Sequence, residues 1–515
     1  MQSFGQRSPI CAVRERRKAL RLLRKISPNH HDFNARADAF RIKRNAARKA
    51  IKKAKKIIWE HFLDGISSES TTSELWRRVN TLSGKRRHSG NTIVVNGEAI
   101  IEPVMIASKM GEYFASLSAD TALPAAFLRR KTRIERVMVS FPLDSLALVY
   151  NTPFSGEELT FSITSAKEKS PGLDGICYPM LRHLPPTGKR VLLDVYNQVW
   201  ESGMIPTSWK TALVVPIPKR TQDTRTPADF RPISLLPCVG KILERMVNRR
   251  LVQFLEENKL LDNRQFAFRK GFGTGSHLAS FSDVVKDALE SNKHIDIAIM
   301  DIAKAYNTVW RTGVLRQLHN WGLKGRLGYF LQNYLDNRMF RVGIGGSQSE
   351  IFYEANGVPQ GSALSVTLFL VSANSVFQVL PSGVYIFVYA DDIVIVAAGI
   401  RPRPVRRKIQ AAVNTVGKCA TSIGFTIAAD KCARTHFCSS HHIYTGIPVK
   451  LNGTNIPFRR EPKILGITVD LKFSFAPHFR RIKRECESRL RLIRSISSRH
   501  PKWNGLTGML TSVEH

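Results

Sequence analysis

Two β-branched, apolar runs meet at a pair of adjacent carboxylates in the segment VYIFVYADDIVIVAA, Val384 to Ala398. In the first run Val384, Ile386 and Val388 alternate with Tyr385, Phe387 and Tyr389, the two-residue period of a strand; Ile393 to Val396 supply a second run. The spacing predicts a hairpin with Asp391 and Asp392 at its tip. Two carboxylates side by side on an apolar hairpin are costly unless a cation sits with them, and a hard divalent ion with oxygen ligands meets that need. Taken alone, the pair reads equally well as an Asp-rich turn between strands.

A third carboxylate lies in HIDIAIMDIAKAYNTVW, His294 to Trp310. Ile295, Ile297 and Ile299 alternate into a strand, Asp301 stands where it ends, and Ala303 to Trp310 read as a turn into a helix. Beside the hairpin, Asp301 could join Asp391 and Asp392 in holding two metal ions about 4 Å apart, a geometry suited to in-line displacement at phosphorus. By itself Asp301 could equally cap a helix.

The charge balance points to a polyanionic partner. Among 515 residues, 78 Lys and Arg stand against 41 Asp and Glu, a net charge of +37. Such an excess repels itself unless something anionic binds, although charge alone leaves a ribosomal-type or merely soluble basic protein open. Seven cysteines, an odd count without framework spacing, suit a reducing interior. The first twenty residues lack the apolar run of a signal peptide, and no stretch approaches the roughly 18 uninterrupted apolar residues of a membrane span. The chain is expected inside the cell, soluble or held on nucleic acid, neither secreted nor in a membrane.

Residues 1–92 predict a basic helical region. Arg44, Arg48, Lys49, Lys52, Lys53 and Lys55 surround Ala47, Ile51, Ala54, Ile58 and Phe62, which recur at helical spacing. This reads as a phosphate-binding arm or import signal, with a solvated helix face as the alternative; residues 82–92 read as a loop. Residues 93–150 show no readable chemistry and stand as a linker or extension. Strand and helix texture fills 151–475, and Phe479, Ile482, Cys486, Leu490 and Ile493 give residues 476–515 helical spacing. Cys432, His436, Cys438, His441 and His442 invite a zinc reading, but their spacing fits no paired-ligand motif, and the stretch reads as a strand running into a loop.

Seven segments in order resemble the blocks of reverse transcriptases carried by non-LTR, LINE-type (jockey- or R1-like) retrotransposons. They are SPGLDGI at Ser170, ADFRPISLLPCVGKILERMVNRRL at Ala228, QFAFRKGFGT at Gln265, the Asp301 segment, GVPQGSALSVTLF at Gly357, YADD at Tyr389 and ILGITVD at Ile464. The resemblance covers roughly residues 160–475. It implies an α+β right-hand polymerase. Helical fingers would come from about 151–290 and part of 311–380, an antiparallel palm sheet would carry the three aspartates with helices on one face, and a partial thumb would follow Asp470. The implied reaction is RNA-templated addition of dNTPs to the 3′-hydroxyl of a DNA primer, with two Mg²⁺ ions (Mn²⁺ possible in their place).

The resemblance also assigns residues. Asp301 and Asp391 would hold the metals, with Asp392 as a third member. Gly357, Pro359, Gln360 and Gly361 would lie beside template and nucleotide, where glycine allows close backbone approach, with Tyr389 near the primer. Tyr306 would exclude a ribose 2′-hydroxyl, Lys219 and Arg231 would hold the triphosphate, and Lys431 would give a proton to the leaving pyrophosphate. Three positions depart from the family pattern: Asn307 for a common Asp, Val366 for a common Pro, and Ala428 for an Asn. No apurinic-type endonuclease or cysteine-rich knuckle is recognisable, and the segment after Asp470 is short for a thumb, so the chain reads as a fragment of a longer element protein. A catalytically inactive nucleic-acid-binding remnant is the second reading. A group II intron or telomerase-type lineage is a third, opposed by the LINE-like FRPISLLPCVGKILERM block.

Overall fold

The computed structural model describes residues 9–26, 30–64, 92–142, 148–219, 226–439 and 447–497. The chain divides into two compact units, Met1–Ser89 with Arg484–His515, and Gly90–Lys483.

The first unit contains the expected basic helices. Pro9–Leu23 and Phe33–Asp64 pack against each other, and Lys43 pairs with Glu15 at 3.1 Å. Ala47 is buried while Arg48, Lys49, Lys52 and Lys53 stay exposed, the division that the periodicity called for. Of the loop read at 82–92, all but the last residue lies outside the described residues. A helix, Ala476–Ser497, forms over the later segment with helical spacing. No helix among the described residues is long and apolar enough to cross a membrane.

The larger unit is built on two five-stranded sheets. In one, the central strand His294–Ala303 pairs on one side with Asp392–Gly399, which pairs in turn with Val384–Tyr389; on its other side lie Thr426–Ile427 and Ala433–Phe437. Every pairing in this sheet is antiparallel. Ile295, Ile297, Phe387, Val394 and Val396 face a core shared with Phe281 and Val285 of the helix Thr274–Glu290. The opposite set, Ala298, Met300, Ile386, Ile393 and Ile395, faces a larger core with Ile409, Ala412, Val413 and Val416 of the helix Pro402–Ser422. Helices therefore cover both faces, not one as expected. Runs such as IVIVAA leave neither face polar, so both need cover from water.

In the second sheet Thr211–Pro218 runs antiparallel to Phe230–Leu235 and parallel to Met339–Ile344. Ala212, Val214, Phe340 and Val342 share a core with Ile106, Ala107, Met110 and Phe114 of the helix Pro103–Ser118. Residues 93–150 thus correct the expectation of a linker: a short hairpin, Ile93–Val95 with Glu98–Ile100, and this helix are part of the folded unit. The helix was legible in outline, because Pro103 opens it and 106, 107, 110 and 114 form one apolar stripe.

Candidate active site

The carboxylate hairpin forms as its pattern predicts. Tyr389 ends one strand and Asp392 begins the next, so Ala390 and Asp391 make the turn. Ala390 has φ +57°, the left-handed region that costs a residue with a Cβ about 1–2 kcal/mol. The Ala390 N–H donates to Gln265 Oε1 at 3.2 Å, and Gln265 is itself buried. Strand register sets Asp392 directly opposite Asp301, which places their side chains on one face with Cβ atoms about 5 Å apart. The Ile302 N–H donates to the Asp391 carbonyl at 3.2 Å, so all three aspartates gather at one end of the sheet. Asp301 lies within its strand rather than at a helix N-terminus. Among the described residues, the three carboxylates do not form a trio with all ligand atoms within 4.8 Å of one another.

The electrostatics mark this end as a place for a cation. Burial, and then the charge of Asp301, raise Asp391 above its usual range, against the pull of Lys431 and Arg231. Desolvation by the surrounding protein, followed by the charges of Asp391 and Asp301, pushes Asp392 up to about 6. Lys431 Nζ lies 2.9 Å from Asp301 Oδ2, and this hydrogen bond holds the ammonium above its ordinary value. Mutually repelling carboxylates that offer only oxygen fit a hard divalent ion such as Mg²⁺ or Mn²⁺.

Cations from four separate segments cluster near these carboxylates, with Lys431 and Arg231 acting on Asp391 directly and Lys219 and Lys304 joined to them by mutual charge. Lys219 follows the strand Thr211–Pro218, Arg231 lies on the strand Phe230–Leu235 opposite Ile217, and Lys304 and Lys431 flank Asp301. Burial and the nearby charges of Lys431, Arg231 and Lys304 depress the Lys219 ammonium, which donates to the Ala228 carbonyl at 2.6 Å. A cluster of this kind suits phosphate oxygens. Lys304 was not singled out in the sequence. Its signal was there, as a cation three residues past Asp301, and its φ of +53° turns the chain just after the strand ends at Ala303.

The aromatic and glycine positions meet the same place. Tyr306 lies in the turn that precedes the helix Arg311–Asn320, not on a helical turn, and its half-buried ring stacks on Phe369 with centroids 5.4 Å apart. Burial and the charge of Asp391 push its hydroxyl up to about 12. Gly357 has φ +81°, and a Cβ there would stand 2.5 Å from the Asn307 carbonyl oxygen and 2.6 Å from that of Tyr306. Gly361 has φ +143°, and its Cβ would stand 2.3 Å from the Ser234 carbonyl oxygen. The Ser234 N–H donates to the Gln360 carbonyl at 2.9 Å and Val358 N–H to the Tyr306 carbonyl at 2.8 Å. The glycine-rich segment, with Pro359 buried within it, is therefore threaded between the Tyr306 turn and the Arg231 strand. Tyr389 is half-buried at the end of its strand, 6.3 Å from the ring of His277.

Of the three departures, Ala428 keeps its place through the backbone: its N–H donates to the Asp301 carbonyl at 3.0 Å, and its carbonyl accepts from Lys431 and Cys432, each at 3.1 Å. Asn307 closes the Lys304 turn with its N–H at 2.9 Å. Val366 sits on the helix Leu364–Ala373, half-buried.

Comparison with known proteins agrees with this geometry. A profile of the reverse transcriptase (RNA-dependent DNA polymerase) family matches residues 217–469, which include every site residue described above. The chain is 28% identical over 456 residues to the RNA-directed DNA polymerase from mobile element jockey of Drosophila melanogaster, an overlap of 85% of this chain and 48% of that protein. It is 27% identical over 354 residues to the probable RNA-directed DNA polymerase from transposon BS of the same species, covering 67% of this chain and 39% of the relative. The Pol polyprotein from type-1 retrotransposable element R1 of Bradysia coprophila is 24% identical over 476 residues, 91% of this chain and 44% of its own length. The chain thus spans less than half the length of each of these relatives. With its carboxylate hairpin, cation cluster and glycine-rich segment all inside the matched residues, the chain carries a reverse transcriptase domain over residues 217–469, similar to those of non-LTR retrotransposons.

Proposed function

We propose that this chain is the polymerase part of an RNA-directed DNA polymerase that extends a DNA primer on an RNA template for retrotransposition. The observation that carries this reading is the Asp301–Asp392 register, which brings three carboxylates, Asp391 and Asp392 with raised pKa, against Lys219, Arg231, Lys304 and Lys431. On this reading the sheet with the aspartates is the palm, the sheet of Thr211–Pro218 with its helices belongs to the fingers, and the chain beyond Asp470 begins a thumb.

Two divalent ions held by Asp301 and Asp391, with Asp392 alongside, would acidify the primer 3′-hydroxyl and neutralise the departing pyrophosphate. Lys219 and Arg231 bind the triphosphate oxygens, and Tyr306 sets the floor beneath the sugar. The primer 3′-hydroxyl gives up its proton to water, its oxygen bonds to the α-phosphorus as the α–β bridging bond breaks, and Lys431 gives its own proton to the departing pyrophosphate. Gly357 and Gly361 let their segment pack against the Tyr306 and Ser234 carbonyls, where a side chain would intrude, and so set Pro359 and Gln360 beside the template and nucleotide. The excess of cations over the whole chain supports residence on RNA, as a ribonucleoprotein in nucleus or cytoplasm.

Primer extension on an RNA template with dNTPs and Mg²⁺ tests the reading. Wild type should extend and Asp391→Ala should not; equal incorporation by both would overturn the metal assignment. A remnant that only binds would show salt-steep RNA affinity and no extension with either Mg²⁺ or Mn²⁺. The intact carboxylates favour the enzyme.

A further inference from the structure

At the far end of the Asp301 strand the same sheet assembles a different set of donors. His294 opens the strand, about 23 Å from Asp301 at 3.3 Å per residue. The edge strand Ala433–Phe437 pairs with it so that His436 faces Asp296 and Phe437 faces Ile295. One more step of that register brings Cys438 beside His294. Because strand side chains alternate, His294, Asp296, His436 and Cys438 share one face. One ligand atom from each of His294, His436 and Cys438 lies within 4.8 Å of the other two, and His294 Nδ1 stands 3.2 Å from His436 Nε2.

Asp296 fixes the orientation of the His436 ring. Its Nδ1 lies 3.1 Å from Asp296 Oδ1, and Asp296 is fully buried and gripped through both oxygens by Arg406. A carboxylate fixed in this way accepts the Nδ1 proton, so Nε2 carries its lone pair toward His294. Buried carboxylates orient metal-binding imidazoles in this manner. Two nitrogens about 2.0–2.1 Å from one tetrahedral ion stand roughly 3.3 Å apart, close to the observed separation.

We propose that His294, His436 and Cys438 bind a zinc-type ion that ties the edge strand Ala433–Phe437 to the strand carrying Asp301. Two imidazoles and a thiolate suit Zn²⁺ and disfavour Mg²⁺, so this end of the strand and the all-oxygen end would not compete for the same metal. Local spacing hid the site, because the Cys432–His442 cluster lacks the ligand that comes from 142 positions away. Cys432 is not in the trio, and His441 and His442 lie outside the described residues.

Cobalt substitution of the full chain tests this without template or primer, so the result is independent of polymerase activity. The His30→Ala/His31→Ala background removes the second donor group found among the described residues, His30, His31 and Asp32. Metal-stripped protein titrated with Co²⁺ should fill one tight site first, with tetrahedral d–d absorption and a thiolate-to-cobalt charge-transfer band that saturate at one equivalent; any Co²⁺ bound afterwards at the all-oxygen aspartates lacks that band. Zn²⁺ should displace it, and millimolar Mg²⁺ should not. Cys438→Ser should abolish the charge-transfer band, and His294→Gln should weaken Zn²⁺ at least about tenfold, each with an unchanged circular dichroism spectrum; Asp391→Ala should leave the band intact. Absence of the band in folded wild type, or its survival in Cys438→Ser, would overturn the proposal and leave the two imidazoles as a hydrogen-bonded pair.

Discussion

Lys431 Nζ lies 2.9 Å from Asp301 Oδ2, a cation already drawn to the carboxylate that would hold a metal. The Lys431 side chain is 59% exposed, so the pair is a modest one, worth up to about 1 kcal/mol. Lys431→Met should therefore tighten Mg²⁺ only about two- to fivefold, because Asp301 is no longer shared. Extension should move the other way, with kcat falling on the order of a hundredfold through loss of the proton donor. Lys431→Arg keeps the charge but surrenders its proton poorly, so it should lower kcat while leaving Mg²⁺ affinity near wild type. Wild-type kcat in both variants, measured by single-turnover extension, would remove Lys431 from the chemistry.

Asp392 supplies a prediction in pH. Its folded-state value of about 6 lies above the roughly 3.9 of an unfolded aspartate. The folded chain then binds this proton more tightly than the unfolded chain, so the group's effect on stability worsens as pH rises from about 4 to about 6 and stays unfavourable above. In EDTA, Asp392→Asn should melt about 1–3 °C higher than wild type at about pH 7 and at the same temperature at about pH 4. Mg²⁺ should narrow the difference at neutral pH by stabilising wild type more. A variant that melts below wild type at neutral pH without metal would contradict the strained-carboxylate account.

The elements that carry chemistry were legible because their signals are local. Alternation over 384–389 and a β-branched run over 393–396 around two aspartates read as a hairpin, and the alternation leading to Asp301 reads as a strand. Their pairing was inferred from chemical need, and the register of Asp392 on Asp301 supplies it. Signals spread along the chain were not legible. Residues 93–142 find their partner in a sheet whose strands come much later in the chain, so their apolar stripe had no visible destination. Helices on both faces of the carboxylate sheet follow from its two-sided apolar pattern, which was in view and under-read. His294 and Lys304 acquire meaning only from neighbours that the fold brings to them.

Tyr306 should act through the shape of its ring. The hydroxyl, raised to about 12, stays protonated at working pH, and stacking on Phe369 holds the ring beneath the expected sugar position. Tyr306→Phe should preserve selection of dNTPs over rNTPs, and Tyr306→Ala should relax it by on the order of tenfold or more. Competitive single-nucleotide incorporation gives the ratio directly. Equal discrimination by wild type and the Tyr306→Ala variant would assign sugar selection elsewhere.

Gln265 holds the Ala390–Asp391 turn from behind. Its Oε1 accepts the N–H of Ala390 at 3.2 Å and of Ala267 at 3.1 Å, while its buried Nε2 has no hydrogen-bond partner among the described residues. The left-handed Ala390 aims Asp391, so its anchoring acceptor should matter more to geometry than to folding. Gln265→Leu leaves the N–H groups of Ala390 and Ala267 without this acceptor and should cost about 1–3 kcal/mol in urea unfolding, yet leave a folded chain. Its Mg²⁺ affinity and extension rate should each fall by roughly tenfold, because supporting residues one step from a metal ligand typically act on that scale. Gln265→Glu keeps an acceptor for Ala390 but adds charge near Asp391, so it should retain more stability than the leucine variant at low pH and less at high pH. If the leucine variant lost stability but bound Mg²⁺ as wild type does, the sheet alone would be holding the turn, and Gln265 would be a structural residue with no part in positioning Asp391.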